Sequence, residues 1–516
     1  MKFKLGIVPA KWMSIIGPGA IIASLTIGAG ELVFSSRGGA LFGYDLLVFF
    51  LLICVLKWAL VLITARHIIL TGAHPLQRWC EMPGPRGWLV WVFLLLAVAA
   101  FPIWVGFHAG TIGTLIASLL GQFGLAGSPE NGTHAFYGLV VLALVMVLVR
   151  TGSYQRLEGV QIGIVAVMLA CVTASLWMLN PDWNAIFGSF VSFRLLEYPA
   201  WVSANYPDLA KRPIWMELAT YVGVLGGSGY DYLAYVSFLR EKRWGAADGP
   251  LLSREELEKI AVDPRHSHRK GLWIPVIDAT ISFAIVFFFS AVFVVCGTIV
   301  LRPAHQIPDG TDLLTLQAKF VDAGSAWMRP LYFLGAFLAM FGTLYGTIEV
   351  APTVAREFVR ALFPGEINQR KLHRWVTNWV GFGGAIVLVW SLLSIWLSGR
   401  GKPPGLIAIL DPANLFTGVL ACGWITYLAC WTEVKFMPIR LRAPWLLMLV
   451  NAISCIVFTA LGIKAYWDYG GSRALLLLLS TIVVGWIAAW IHQYAKKQRI
   501  IIDHNHLECV WKFLKS

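Results

Sequence analysis

Apolar runs of roughly 20 residues follow one another from end to end of the chain, separated by short polar segments. Each is long enough for a helix to cross the ~30 Å hydrocarbon core of a bilayer. The pattern predicts spans over 14–35, 46–65, 88–120, 135–149, 158–179, 215–238, 273–301, 330–352, 375–398, 404–431, 444–466 and 474–494. Two spans are broken at their middle by glycines that sit next to a carboxylate. The first carries Ile27-Gly28-Ala29-Gly30-Glu31 and the sixth carries Gly226-Gly227-Ser228-Gly229-Tyr230-Asp231. An ionised side chain at membrane depth is costly unless paired, hydrated or ion-bound, and glycines there permit an unwound backbone lining a cavity. The two breaks therefore predict a substrate site between discontinuous helices, as in many secondary transporters.

The longest polar stretch, Arg240 to Lys270, contains Ser253-Arg254-Glu255-Glu256, a helix-start pattern. Placed after the sixth span, it joins two halves in which the broken spans hold equivalent positions. The expected architecture is an all-α polytopic membrane protein: two five-span inverted repeats with two extra C-terminal helices. An odd number of spans per repeat forces the second repeat to insert upside down. The units expected are 1–238 (the first repeat and span six), a cytoplasmic loop 239–272, the rest of the second repeat 273–431, the extra helices 432–495, and a cytoplasmic tail 496–516.

Composition agrees: 58% of the residues are hydrophobic and 13% charged, about half the charge fraction of a soluble domain. The net charge of +13 would suit a nucleic-acid partner, but its distribution points elsewhere. With the N-terminus inside, most Lys and Arg fall on inner segments, eight of them between Arg240 and Lys270. That asymmetry follows the positive-inside rule and puts both termini in the cytoplasm, with the bilayer as partner and no nucleic acid. No cleavable signal peptide is expected from Met1 to Lys11. The eight cysteines contain no CxxC pair, and those in apolar spans act as small hydrophobes. His504-Asn505-His506 with Cys509 lacks a zinc spacing. No phosphate loop, GxSxG elbow or HExxH motif is present, so no enzyme and no cofactor is expected.

Glu31 and Asp231 are the candidate metal ligands. Two carboxylates with carbonyls freed near Gly28 and Gly227 would form an oxygen site suited to a hard cation such as Mg²⁺ or Mn²⁺. Two structural roles stay open: Glu31 pairing with a buried base, and Asp231 capping the second half of its helix. Gly28, Gly30, Gly227, Ser228, Tyr230 and Tyr232 are candidate substrate-binding positions beside them. Lys57, mid-span, is a candidate counter-ion for Glu31 or Glu158, or a cation replacing a coupling ion. His108 is a candidate proton relay. Asp411 and Asn414 lie in Asp411-Pro412-Ala413-Asn414, where the proline frees backbone groups and suggests a gate. Asp278, Glu349 and Glu433 read as structural, with Glu349 able to pair with Arg356.

Gly17-Pro18-Gly19, the broken helix, and Gly38-Gly39-Ala40-Leu41-Phe42-Gly43-Tyr44 resemble, without a gap, the opening of the Nramp family of divalent-metal transporters. Arg156-Leu157-Glu158, Pro181-Asp182-Trp183 and Ile277-Asp278-Ala279-Thr280-Ile281 resemble later motifs of that family in order. The resemblance covers most of the chain through about residue 440 and implies a LeuT-like fold with alternating access. The departures fall on the chemistry. The family's Asp-Pro-Gly-Asn becomes Gly28-Ala29-Gly30-Glu31, and its Met-Pro-His becomes Tyr230-Asp231-Tyr232. Acidic residues tied to proton transfer align with Phe107 and Gly110. The resulting expectation is a secondary transporter of a divalent, hard metal cation in a bacterial plasma membrane. The alternative is a LeuT-like carrier of a small organic solute such as an amino acid or amine. There the glycine break would hold a substrate carboxylate by helix N-terminal dipoles.

Overall fold

The computed structural model describes residues 18–19, 27–122, 132–151, 170, 174, 176–308, 316–321, 328–363, 368–398 and 406–515, with side chains described up to 495 at the C-terminal end. Span five, with Glu158, and the tail carrying His504, His506 and Cys509 lie outside these residues or their described side chains. Among the described residues there is no strand, and eight helices are long and apolar enough to cross a membrane.

The second half of the first broken span forms α1 (Ala29–Phe42), and α2 (Leu46–Thr71) follows after a short turn. Next come a short α3 (Pro75–Trp79), α4 (Trp88–Gln122), α5 (Thr133–Thr151) and a peripheral α6 (Trp183–Val191). The sixth span is two helices, α7 (Ile214–Val224) and α8 (Gly229–Glu241). Between them Gly226 and Gly227 have φ of +75° and +92°, a left-handed region that residues with a Cβ rarely enter. In the polar stretch, α9 (Arg254–Val262) begins at the expected box: Ser253 Oγ accepts from Glu256 N, and Glu256 Oε2 accepts from Ser253 N. The second half continues through α10 (Trp273–Cys296), α11 (Met328–Leu362), α12 (Gln369–Ser398), α13 (Leu406–Asn414), α14 (Ala421–Phe436) and α15 (Trp445–Lys515).

The stretch labelled α15 is two helices that meet across a kink at Gly471, whose φ of +57° takes the chain out of helical geometry without a polar loop. One detail differs from the sequence reading. The tenth span is not simply broken at Pro412; the proline lies inside α13 and is followed by a π-helical segment over Leu415–Leu420. The widened turns absorb the backbone groups that the proline leaves unpaired.

Helix contacts are closest where glycines meet backbone. A Cβ on Gly39 would overlap the Val294 carbonyl and one on Gly297 the Ser36 carbonyl, so α1 lies directly on the end of α10. Gly113 and Gly138 make the same reciprocal approach between α4 and α5. Close approach through small residues is how helices gain packing energy where lipid supplies no hydrophobic drive. The result fixes α1, α4, α7, α8 and α11 around a shared centre.

Candidate functional site: a cavity between two broken helices

Both breaks meet at a cavity of about 40 Å³ lined by Gly30 and Glu31 of α1, Gly223 and Val224 of α7, and Gly227, Ser228, Tyr230 and Asp231 of the α7–α8 break. Ala100, Phe101, Trp104 and His108 of α4 and Thr347 of α11 close it. Such a space holds about two or three waters.

Glu31 stands in the first turn of α1, where the helix N-terminus favours negative charge. It is only 1% exposed. Its Oε1 accepts from Gly226 N at 3.2 Å, which ties one break to the other. Its Oε2 is buried and has no hydrogen-bond partner among the described residues. A buried carboxylate oxygen without a donor is costly.

Asp231 is engaged differently. Its Oδ2 accepts from Ser228 N at 2.7 Å, and it is the third residue of a capping box that opens α8. It reaches the cavity while serving as a cap, so the structural role left open by the sequence is present together with the site position. Tyr230 donates its hydroxyl to Phe93 O at 2.8 Å and turns its ring toward Phe101. His108 stacks on Trp104 with ring centroids 5.5 Å apart, and its Nδ1 has no partner among the described residues.

The carbonyls expected to face an ion are spent elsewhere. Gly28 O accepts from Leu32 N at 3.0 Å as the first bond of α1. Gly227 O accepts from Lys57 Nζ at 2.6 Å, and Lys57 Nζ also donates to Val222 O at 2.5 Å and Leu225 O at 2.8 Å. Tyr232 donates its hydroxyl to Gly226 O at 2.7 Å and Gly227 O at 3.1 Å. Glu31, Asp231, Ser228 and Thr347 are the residues with side-chain carboxylate or hydroxyl oxygens that line the cavity, beside Tyr230.

Of the positions singled out in the sequence, Gly30, Glu31, Gly227, Ser228, Tyr230, Asp231 and His108 line the cavity. Gly28 packs on Thr343, while Tyr232 and Lys57 support the α7–α8 break from behind. Asp411 accepts from Arg212 at 3.4 Å, and Asn414 donates to Thr220 O at 3.2 Å. These two sit in a cluster toward one end of the bundle. Thr347, Trp104 and Phe101 were not anticipated; no spacing in the sequence brings α11 and α4 to the breaks.

Two ion-pair clusters flank the cavity, each built on a buried glutamate, Glu217 and Glu357. At the α7 end, Arg37 holds both oxygens of Glu217 at 3.2 Å and donates to Pro308 O, while Arg212 bridges Glu217 and Asp411 at 3.4 Å each. At the α8 end, Glu357 takes Arg240 at 2.6 Å and Arg360 at 2.8 Å, and Arg356 pairs with Glu241 rather than Glu349. His74 lies beside this second cluster. Its Nε2 donates to Leu233 O at 3.2 Å and its Nδ1 accepts from Leu76 N, so the ring is neutral. Burial, aided by Arg240 and opposed by Glu357, pushes its pKa down to about 4. Among the described residues no three or more His, Cys, Asp or Glu converge on one point.

Comparison with known proteins places this geometry. The family profile described as "Natural resistance-associated macrophage protein-like" (Nramp) matches residues 19–468. The divalent metal cation transporter MntH of Listeria innocua is 24% identical over 371 residues, 68% of this chain and 72% of that one. A protein of Pasteurella multocida is 22% identical over 351 residues, 67% of this chain and 70% of the other. Among solved structures, a manganese transporter of Eremococcus coleocola superposes with a TM-score of 0.66 at 14% identity, covering 94% of this chain and 97% of that one. MhsT in complex with L-phenylalanine aligns with a TM-score of 0.50 at 14% identity, covering 87% of this chain and 98% of its own. The architecture is the all-α, LeuT-like transporter fold. With a profile match over nearly its whole length, the chain belongs to the Nramp family of membrane transporters, which are not enzymes.

Proposed function

We propose that this chain carries a divalent metal cation of the hard class, Mg²⁺ or Mn²⁺, across the membrane by alternating access, with Glu31 as the principal protein ligand. The observation that carries the reading is the unpartnered Oε2 of Glu31, buried in the wall of a cavity between the two broken helices. Asp231, the Ser228 and Thr347 hydroxyls and two or three waters complete an oxygen shell of the kind hard cations accept. The family membership and relatives described as divalent metal cation transporters support the same cargo.

Two ion-pair clusters support alternating access. The Arg37–Glu217–Arg212–Asp411 cluster would close one mouth and the Arg240–Glu357–Arg360 cluster the other, each opening in turn. The charge asymmetry of the sequence puts the second cluster and both termini on the cytoplasmic side. An amino acid or amine fits poorly, because 40 Å³ is far below the ~300–1,000 Å³ of ordinary small-molecule sites. Thermal-stability measurements on purified protein with Mg²⁺, Mn²⁺, Ca²⁺ and a panel of amino acids and amines test the cargo. Stabilisation by Mg²⁺ or Mn²⁺ is expected. Stabilisation by an amine or amino acid and by no metal would overturn the assignment.

A further inference from the structure

Lys57 is the one lysine fully buried within a membrane-spanning helix among the described residues, with no measurable exposure. It enters from α2 and does not reach the cavity wall. Its Nζ meets the carbonyls of Val222, Leu225 and Gly227 at 2.5, 2.8 and 2.6 Å. An ammonium has three N–H donors and no acceptor, so the three carbonyls saturate it. Those carbonyls are exposed because α7 stops at Val224 and α8 begins at Gly229. A helix C-terminus carries negative partial charge, and three carbonyls converging on one point form the kind of cradle that binds a desolvated monovalent cation. Glu31 and Asp231 lie within electrostatic range of the same ammonium.

We propose that the Lys57 ammonium is a tethered cation occupying the carbonyl cradle of the α7–α8 break, so that this chain works without a bound alkali-metal ion. The cradle is built as an ion site, but its ion is covalently attached and does not exchange. Two consequences follow. The break keeps its shape whatever the Na⁺ or K⁺ concentration on either side. Lys57 also offsets one of the two carboxylate charges at the site, which leaves Glu31 and Asp231 with a net charge of one for the cargo.

The inference rests on the cation-transport reading only for its flux readout, and a stability readout separates the two. Mn²⁺ uptake into proteoliposomes and thermal stability of the purified protein are measured in NaCl, in KCl and in N-methyl-D-glucamine chloride. For the wild type both are expected to be unchanged across the three salts; a requirement for Na⁺ or K⁺ in either would overturn the proposal. Lys57→Ala in N-methyl-D-glucamine should lose uptake at least tenfold and melt earlier, and Na⁺, K⁺ or methylammonium should restore much of both. Lys57→Met, which fills the space without charge, should lose uptake and gain nothing from added cations. Full activity of Lys57→Ala in N-methyl-D-glucamine, or loss that no small cation reverses in a folded protein, would contradict the role. If Lys57→Ala does not fold, the wild-type salt series still decides. If the wild type moves no metal at all, the cargo assignment fails, while the melting series continues to test Lys57.

Discussion

The two broken spans are alike in sequence and opposite in chemistry. At the sixth span the break is saturated. Lys57 and Tyr232 occupy the carbonyls of Val222, Leu225, Gly226 and Gly227, and Asp231 takes the Ser228 amide. At the first span, Gly28 O goes to the ordinary helix bond with Leu32, and Glu31 spends one oxygen on Gly226 and keeps the other bare. Glycines that unwind a helix create unpaired backbone groups, but the fold can satisfy these internally. What sets the first break apart is a buried carboxylate oxygen with no partner among the described residues.

The sharpest way to break this contrast is at the carboxylates. Glu31→Gln should lower metal uptake by about 100-fold or more, since even changing groups behind a metal ligand costs roughly 10–100-fold. Asp231→Asn should be milder in transport. Loss of its charge weakens the cap on Ser228 N and should cost about 1 kcal/mol of stability, read by thermal or chemical melting. Equal loss of uptake in the two variants would mean that both breaks supply ligands on the same footing. Tyr232→Phe removes one donor shared by two buried carbonyls and should cost about 1–2 kcal/mol with cargo affinity nearly unchanged. A large loss of metal affinity there would show that the sixth break is not merely structural.

The smallest expected effect is on pH. Neutral His74 both donates and accepts at the α8 end, and its folded pKa of about 4 lies below the ordinary value of ~6.5 for an unfolded histidine. The unfolded chain therefore binds the proton first. The stabilising contribution is fully present above pH ~6.5 and declines as pH falls through the folded value of about 4. Replacing His74 by Gln should flatten that part of the stability profile while leaving the Glu31 dependence of uptake intact.

Much of the fold was written in the pattern of the chain. The Ser253 box opens α9 where the sequence places it, and Gly226-Gly227 marks the break between α7 and α8. These are local features, set by one residue's φ or one side chain's reach to its own backbone. The parts that escaped are non-local. Lys57 was legible as a buried charge, but not its three carbonyl partners more than 160 residues away. Arg37 and Glu217 gave no sign of their pairing, because periodicity reports which face is apolar and not which polar residue lies opposite. Thr347 and Trp104 reached the cavity wall by helix packing alone.

The central claim is that a hard divalent cation passes between the breaks on the free oxygen of Glu31. Its most direct test is Mn²⁺ and Mg²⁺ flux into proteoliposomes containing the wild-type chain or Glu31→Gln, with each variant shown to be folded by its melting curve. The account predicts saturable uptake of at least one of the two ions by the wild type and little or none by Glu31→Gln. Wild-type flux retained in Glu31→Gln would contradict it.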